Sequence, residues 1–442
     1  MTGGIRWQTA IEKELEKMIL SAKVWSYRFI TAFALIFFFI QPLVTSAFGA
    51  IEFIGKGTIP GSGIDNLKLT DPIDAAGTPQ NRMGGFGSAI AYTGSGNLFI
   101  AIPDRGPADG KSTYLNRYYW LSLAIDPIKH TVTPSLVSTQ LLSQGPNQPK
   151  QVFTGNSEAF DSTNSPASRR FDPEAIRMGK TGTIFISDEY GPFIYEFDRS
   201  GLRLRSLKVP DKFLIKSPGV PSADPDTELA NPNGRQPNGG MEGLAINPDG
   251  TKLYGITENP LIQDHALDIR HKRVGINHRI LEIDIKTGAT REFLYQLERK
   301  KNRVNEILAV NDHEFLVLER ENKAGDKAVF KKIFKIDLAG ATDISNIDRL
   351  PEKDVPSGVK KVAKSLFLDL LDPAYGLAGP DFPKKIEGLA FGPSLPDGRI
   401  SLLVTSDNDF HRDKPSIIYV FAIDPSDLNY VPQVITPMND KQ

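Results

Sequence analysis

A chain of 442 residues, 40% of them hydrophobic, is long enough to bury a sizeable core, and 52 basic against 53 acidic side chains leave a formal net charge of −1. That balance lacks the basic surplus of a nucleic-acid-binding protein. The absence of cysteine excludes a disulfide framework, a thiol nucleophile and a thiolate metal site.

Taken in chain order, the first feature is the apolar run Phe29–Ile40. It lies behind Lys23 and Arg28 and ahead of Gln41, Pro42 and the small residues Thr45-Ser46-Ala47. A basic stretch, a short apolar core and a small-residue cleavage point predict a secretory signal peptide. The run is shorter than the ~20 residues of a spanning helix. Met18 offers a second start, because residues 1–17 would add Glu12, Glu14 and Glu16 to an unusually long leader. The other reading is an uncleaved anchor, which would be the chain's sole membrane contact. Residues 1–50 are thus expected to be leader or anchor, and 51–442 a single domain outside the cytoplasm, periplasmic or secreted.

The remainder repeats itself. Ser88-Ala89-Ile90 leads over Gly94–Gly96 into Leu98–Ile102 and then Asp104-Arg105. Glu174-Ala175-Ile176 passes Gly179–Gly182 into Thr183–Ile186 and then Asp188-Glu189. Glu242-Gly243-Leu244 passes Asp249-Gly250 into Lys252–Thr257 and then Glu258-Asn259. Glu306-Ile307-Leu308 passes Asn311-Asp312 into Glu314–Leu318 and then Glu319-Arg320. Glu387-Gly388-Leu389 passes Asp397-Gly398 into Ile400–Thr405 and then Asp407-Asn408.

Two apolar runs around a Gly, Asp or Asn turn read as a hairpin. Third runs follow at Tyr118–Ile125, Phe193–Asp198, Arg279–Ile285, Lys332–Leu338 and Ile417–Ile423. Weaker fourth runs lie at Leu202–Val209 and Thr290–Leu297. Four antiparallel strands per unit predict an all-β fold, a β-propeller of four-stranded blades. Five blades are legible, and 130–170 leaves room for a sixth. The last unit lacks a fourth run, so Ile51–Gly55 is expected to supply it and close the ring.

In an antiparallel hairpin the first strand starts where the second ends. Glu174 with Asp188, Glu242 with Glu258, Glu306 with Glu319 and Glu387 with Asp407 should therefore meet at one mouth of the channel. Insertions at 144–170, 217–240, 259–278, 372–384 and 408–415 are expected to decorate that same mouth, as long functional loops do. Crowded carboxylates resist ionisation unless a cation offsets them. Calcium, with about six to eight oxygen ligands, suits such a set. Asp104, Asp188, Glu189, Glu258, Glu306, Glu319, Asp407 and Asp409 are the expected metal ligands. Glu174, Glu242 and Glu387 would hold metal or act as base, while Arg105, Arg279, Arg320 and His411 would bind an anionic substrate. The plainer alternative is that these acids bond backbone amides and lock blade to blade.

Asp104-Arg105-Gly106-Pro107, Asp172-Pro173-Glu174-Ala175-Ile176 and Ser187-Asp188-Glu189-Tyr190-Gly191-Pro192 occur in order. Met241-Glu242-Gly243-Leu244, Leu318-Glu319-Arg320 and Asp407-Asn408-Asp409-Phe410 follow them. Over residues 80–425 the series resembles the phytase-like family with esterase-like activity of phytase. The resemblance implies a propeller and calcium-assisted phosphoester hydrolysis. There is no Gly-x-Ser-x-Gly elbow for a serine hydrolase. The expected function is an exported calcium-assisted hydrolase of phosphoesters or related esters, acting on a small anionic ester. A lactonase-type propeller on a neutral ester and a non-catalytic ligand- or protein-binding propeller are the alternatives.

Overall fold

The computed structural model describes residues 51–144, 151–160, 165–219 and 225–436. The expected leader, residues 1–50, lies outside them, and among the described residues no helix is long and apolar enough to cross a membrane.

Strand β1 (Glu52–Ile59) opens the described chain, and five four-stranded sheets account for all the strands. Blade one is β2 (Ala89–Tyr92), β3 (Leu98–Ile102), β4 (Arg117–Asp126) and β5 (Thr131–Leu141). Blade two is β6 (Pro173–Met178), β7 (Ile184–Asp188), β8 (Ile194–Phe197) and β9 (Arg203–Leu207). Blade three is β10 (Met241–Ile246), β11 (Lys252–Thr257), β12 (Asn277–Asp284) and β13 (Thr290–Gln296). Blade four is β14 (Arg303–Ala309), β15 (Glu314–Arg320), β16 (Lys331–Asp337) and β17 (Ala363–Asp369). Blade five is β18 (Lys385–Phe391), β19 (Ile400–Asp407) and β20 (Ser416–Ile423), with β1 outermost against β20.

The expected closure by the N-terminal strand is therefore present, and it joins the two ends of the propeller chain through one ladder of backbone bonds. A sixth blade is not found among the described residues, because Thr131–Leu141 pairs with β4 as the fourth strand of blade one.

Burial explains the order of strands within a blade. The first strands are almost wholly buried, and each touches the first strands of both flanking blades: β2 with β6, β6 with β10, β10 with β14, β14 with β18, β18 with β2. Outer strands such as β9 and β17 leave much of their length exposed. Between blades the sheets pack face to face. Ile90, Phe99, Leu403 and Val420 fill one seam, and Ile256, Ile280, Ile307 and Val317 another. Each fully buried aliphatic side chain contributes about 1.5–3 kcal/mol, so the seams hold the ring while the strand ends are left to form a mouth.

Candidate metal-binding mouth

Close approach of first strands around the axis sets the local sequence. A Cβ on Gly243 would come within 2.9 Å of the Ile307 amide nitrogen, and one on Gly87 within 2.0 Å of the Ser406 carbonyl oxygen. In four blades the pairing of first and second strands also slips at its start, between Pro173 and Ile176, Met241 and Gly243, Val304 and Glu306, and Ile386 and Leu389. Such β-bulges re-aim a side chain. The residues that fall in the slip include Glu174, Glu242, Asn305 and Glu387.

Of these, Glu174, Glu242 and Glu387 line a cavity of about 380 Å³ with Asp104, Arg105, Asp109, Glu189, Asn238, Glu258, Arg303, Arg320, Lys384, Lys385, Asp409 and His411, while Asn305 stands behind Glu242. Asn238, Lys384, Asp409 and His411 bring three of the expected insertions to this mouth. Asp249 and Asp397, in the opposite turns, bond only locally, to Thr251 and Arg399.

Hydrogen bonding within the cavity is incomplete. Glu242 Oε1 accepts from Asn305 Nδ2 at 2.8 Å, and Glu387 Oε1 from Arg320 Nη2 at 2.7 Å, but Glu242 Oε2, Glu387 Oε2, Asn305 Oδ1 and Asn238 Oδ1 are buried without a donor. Among the described residues no donor reaches the Glu174 carboxylate. Asp172, Glu174 and Glu189 place ligand oxygens within 4.8 Å of one another, and all three are buried. Arg105 is their edge: its Nη1 bonds Asp172 and, at 2.9 Å, Glu189, and its Nη2 bonds Asp109 at 2.6 Å.

The electrostatics follow the crowding. Burial raises the proton affinity of Glu174 well above the usual range, and Glu242 and Asp172 add to it. Glu242 is likewise raised by burial and then by Glu258, Glu189 and Glu387. Glu258 goes the other way: burial would raise it, but Arg303 and Arg320 outweigh that and hold it low. Buried carboxylate and amide oxygens without donors have the chemistry that a hard divalent cation takes as ligands.

Not every expected residue is there. Arg279 is buried away from the mouth, bidentate to Asp264 at 2.7 and 2.8 Å and bonded to Glu292 at 2.7 Å, so its guanidinium is enclosed out of reach of a substrate. Asp188 accepts from the amides of Asp172, Tyr190 and Gly191, which shapes the chain entering the mouth. Glu319 takes Tyr295, Glu298, Asn302 and Lys364 as partners. Glu306 lies one residue past the bulge, accepts from the amides of Leu244 and Ile307, and pairs with Arg177 at 2.7 Å. Asp407 is just behind the lining, against Lys385 at 2.6 Å. His278, near the basic loop, is fully buried, and burial pushes it down to about 4, so it is neutral.

Residues 81–410 match the family described as "Phytase-like: Esterase-like activity of phytase". The chain belongs to the phytase-like family. This phytase-like chain is also 26% identical, over 345 residues, to an "Uncharacterized secreted protein" of Arthroderma benhamiae, covering 63% of this chain and 64% of that one. It thus spans less than two thirds of that relative's length. Among solved structures it is similar to a gluconolactonase of Xanthomonas campestris (9% identity, TM-score 0.34, 87% of this chain and 99% of that one). It is also similar to a calcium-binding protein, regucalcin, of Agrobacterium tumefaciens (10% identity, TM-score 0.33, 84% and 100%). Similarity at that level says nothing of activity.

Proposed function

We propose that this phytase-like propeller is an exported, calcium-assisted hydrolase of esters that carry little or no negative charge. The observation that carries the reading is the pairing of the mouth's cations. Arg105, Arg303, Arg320 and Lys385 are each bound to carboxylates, and Lys384 lies 3.8 Å from Asp409. Eight carboxylates line the cavity against five Lys or Arg side chains. Each guanidinium already carries a carboxylate, which offsets its charge, and the surplus of acid repels a polyphosphate, so the neutral-ester reading is favoured over the anionic one.

Calcium bound among Glu174, Glu242 and Glu189 would polarise the ester oxygen and acidify a bound water. Asn238 and Asn305 would complete the oxygen set. Glu174 serves as base through the oxygen it does not lend to calcium: it faces the cavity, no donor among the described residues reaches it, and burial raises its proton affinity. Asp172 and Arg105 hold Glu189 in place beside it.

A panel of lactones, carboxylic esters, phosphomonoesters and phytate, with calcium and with chelator, tests this. Calcium-dependent turnover should be fastest on neutral esters and slowest on phytate. Preference for phytate would overturn the charge argument, and no turnover of any ester would favour the binding-module reading.

Export rests on the signal-like segment around Phe29–Ile40 and on the Arthroderma relative described as secreted. Protein recovered from the native host should begin between Phe48 and Ile51, as N-terminal sequencing or intact mass would read. Recovery of residues 29–40 in a membrane fraction would show an anchor instead.

A further inference from the structure

The mouth contains a second group of carboxylates, and it already surrounds a cation. Lys385 Nζ lies 2.6 Å from Asp407 Oδ2, 2.7 Å from Asp409 Oδ1, 3.7 Å from Asp104 Oδ2 and 4.0 Å from Glu387 Oε1. We infer that Lys385 takes the place of a second divalent cation, so that the ring holds a single calcium ion, on the side of Asp172, Glu174 and Glu189. The inference rests on the calcium reading above and deepens it.

Ring symmetry carries the argument. Lys385 pairs across the sheet with Asp407, one step before the Ile386–Ser406 pair. In blade four the equivalent pair is Arg303 with Arg320, next to Val304 with Glu319. In blade two Pro173 pairs with Asp188, so the same position holds Asp172 beside Glu189, joined by the Glu189 amide to the Asp172 carbonyl at 2.8 Å. Blades four and five thus carry their own cation at the entry to the first strand. Blade two carries an additional acid there.

The consequence is that the protein's own cations are placed differently on two sides of one cavity. Around Lys385 the four carboxylates come from blade one, from β18 and from the end of β19 and the loop after it, much as ligands gather round a metal. The N–O distances to Asp407 and Asp409 are those of tight ion pairs, and Asp104 and Glu387 would have to close from 3.7 and 4.0 Å to the roughly 2.3–2.6 Å of calcium–oxygen contacts to hold a metal in its place. On the other side Arg105 pairs with Asp172 and Glu189, but among the described residues no lysine or arginine pairs with Glu174 or Glu242, and donorless buried oxygens are found at Glu242, Asn305 and Asn238, against Glu387 Oε2 alone beside Lys385. The side of Glu174 and Glu242 is therefore the one where carboxylates lack a paired cation of the protein's own.

Metal analysis of calcium-saturated protein after desalting tests this directly, alongside melting curves. Wild type should carry one calcium per chain, and Lys385→Met should carry two, because four carboxylates are then left facing an emptied centre. Its melting temperature should fall below wild type in chelator and recover more steeply with calcium. Lys384→Met, which removes only a distant contact to Asp409, should still carry one. If Lys385→Met does not fold, two variants of the Lys385-containing chain decide: Asp409→Asn should keep one calcium and Glu174→Gln should lose it. Two calcium ions in wild type, one in folded Lys385→Met, or loss of calcium in Asp409→Asn would overturn the inference. Wild type without calcium would instead sink the calcium reading on which it stands.

Discussion

Changing Glu242 to Gln should lower calcium-dependent esterase activity by about 100-fold or more, the scale of a lost acid–base or metal-binding group. The substitution keeps volume, and an amide oxygen can still accept the 2.8 Å bond from Asn305. What it removes is charge at a buried oxygen that no protein donor satisfies. Glu174→Gln should behave alike, since that carboxylate stands in the Asp172–Glu189 group. Rates measured across a calcium titration separate the two roles: a ligand's loss is partly restored by high calcium, a base's loss is not. Asp249→Asn, in an exposed turn at the other mouth, should leave activity intact. Arg279→Met should lower stability by about 3–5 kcal/mol by stranding Asp264 and Glu292, yet leave the activity of folded protein unchanged. Activity lost in Asp249→Asn and kept in Glu242→Gln would place the chemistry at the wrong mouth.

Much of this site was legible because hairpin geometry is simple. Alternating apolar runs around Asp-Gly turns identify first and second strands, and antiparallel pairing then sends Glu174, Glu242, Glu387, Glu189 and Glu258 to one end. The same logic found ring closure, since a fifth unit with three strands needs a fourth. The errors have one main cause. A bulge adds a residue without disturbing the apolar pattern around it, so Glu306 aligned by eye with Glu242 although Asn305 is its structural equivalent. By the same register, the strand-end partners are Glu189 and Arg320 rather than Asp188 and Glu319.

Arg303 and Lys385 as cavity residues, and Asp172 behind Glu189, escape a reading in which each unit begins at its glutamate. One or two residues earlier stand an acid in blade two and a base in each of blades four and five. Arg279 was misplaced for a different reason: the loop before it reaches toward the mouth, but β12 carries the residue back among Asp264 and Glu292. Strand β17 was unread because an outer strand with mostly exposed or half-buried residues has little apolar signal. Loop-borne Asn238 had no signal at all, since an asparagine in a turn-rich segment is ordinary.

In chelator, the melting temperature should be highest near pH 5 and fall steadily to pH 8. Burial raises Glu306 from 4.5 to about 7, and raises Asp188 from 3.8 to about 7. An acid whose folded-state value is raised contributes stability that is complete below its unfolded value and is lost as pH rises through the folded one. At about 1.4 kcal/mol per unit, these two groups together remove on the order of 7 kcal/mol between pH 4 and pH 8. Glu174 and Glu242, raised by burial and by each other's neighbours, extend the loss in the same direction. Below pH 4.5 the sign reverses, because Glu258 and Asp409 are held low by Arg303 and Lys385 and lose that stabilisation on protonation. Calcium favours the ionised form of its ligands, so adding it should raise the melting temperature more at pH 8 than at pH 5 and flatten the profile. Calorimetry at four pH values, with calcium and with chelator, reads both slopes. A chelated protein most stable at pH 8 would mean that the mouth's carboxylates are ionised without help, and the requirement for a bound cation would fall with it.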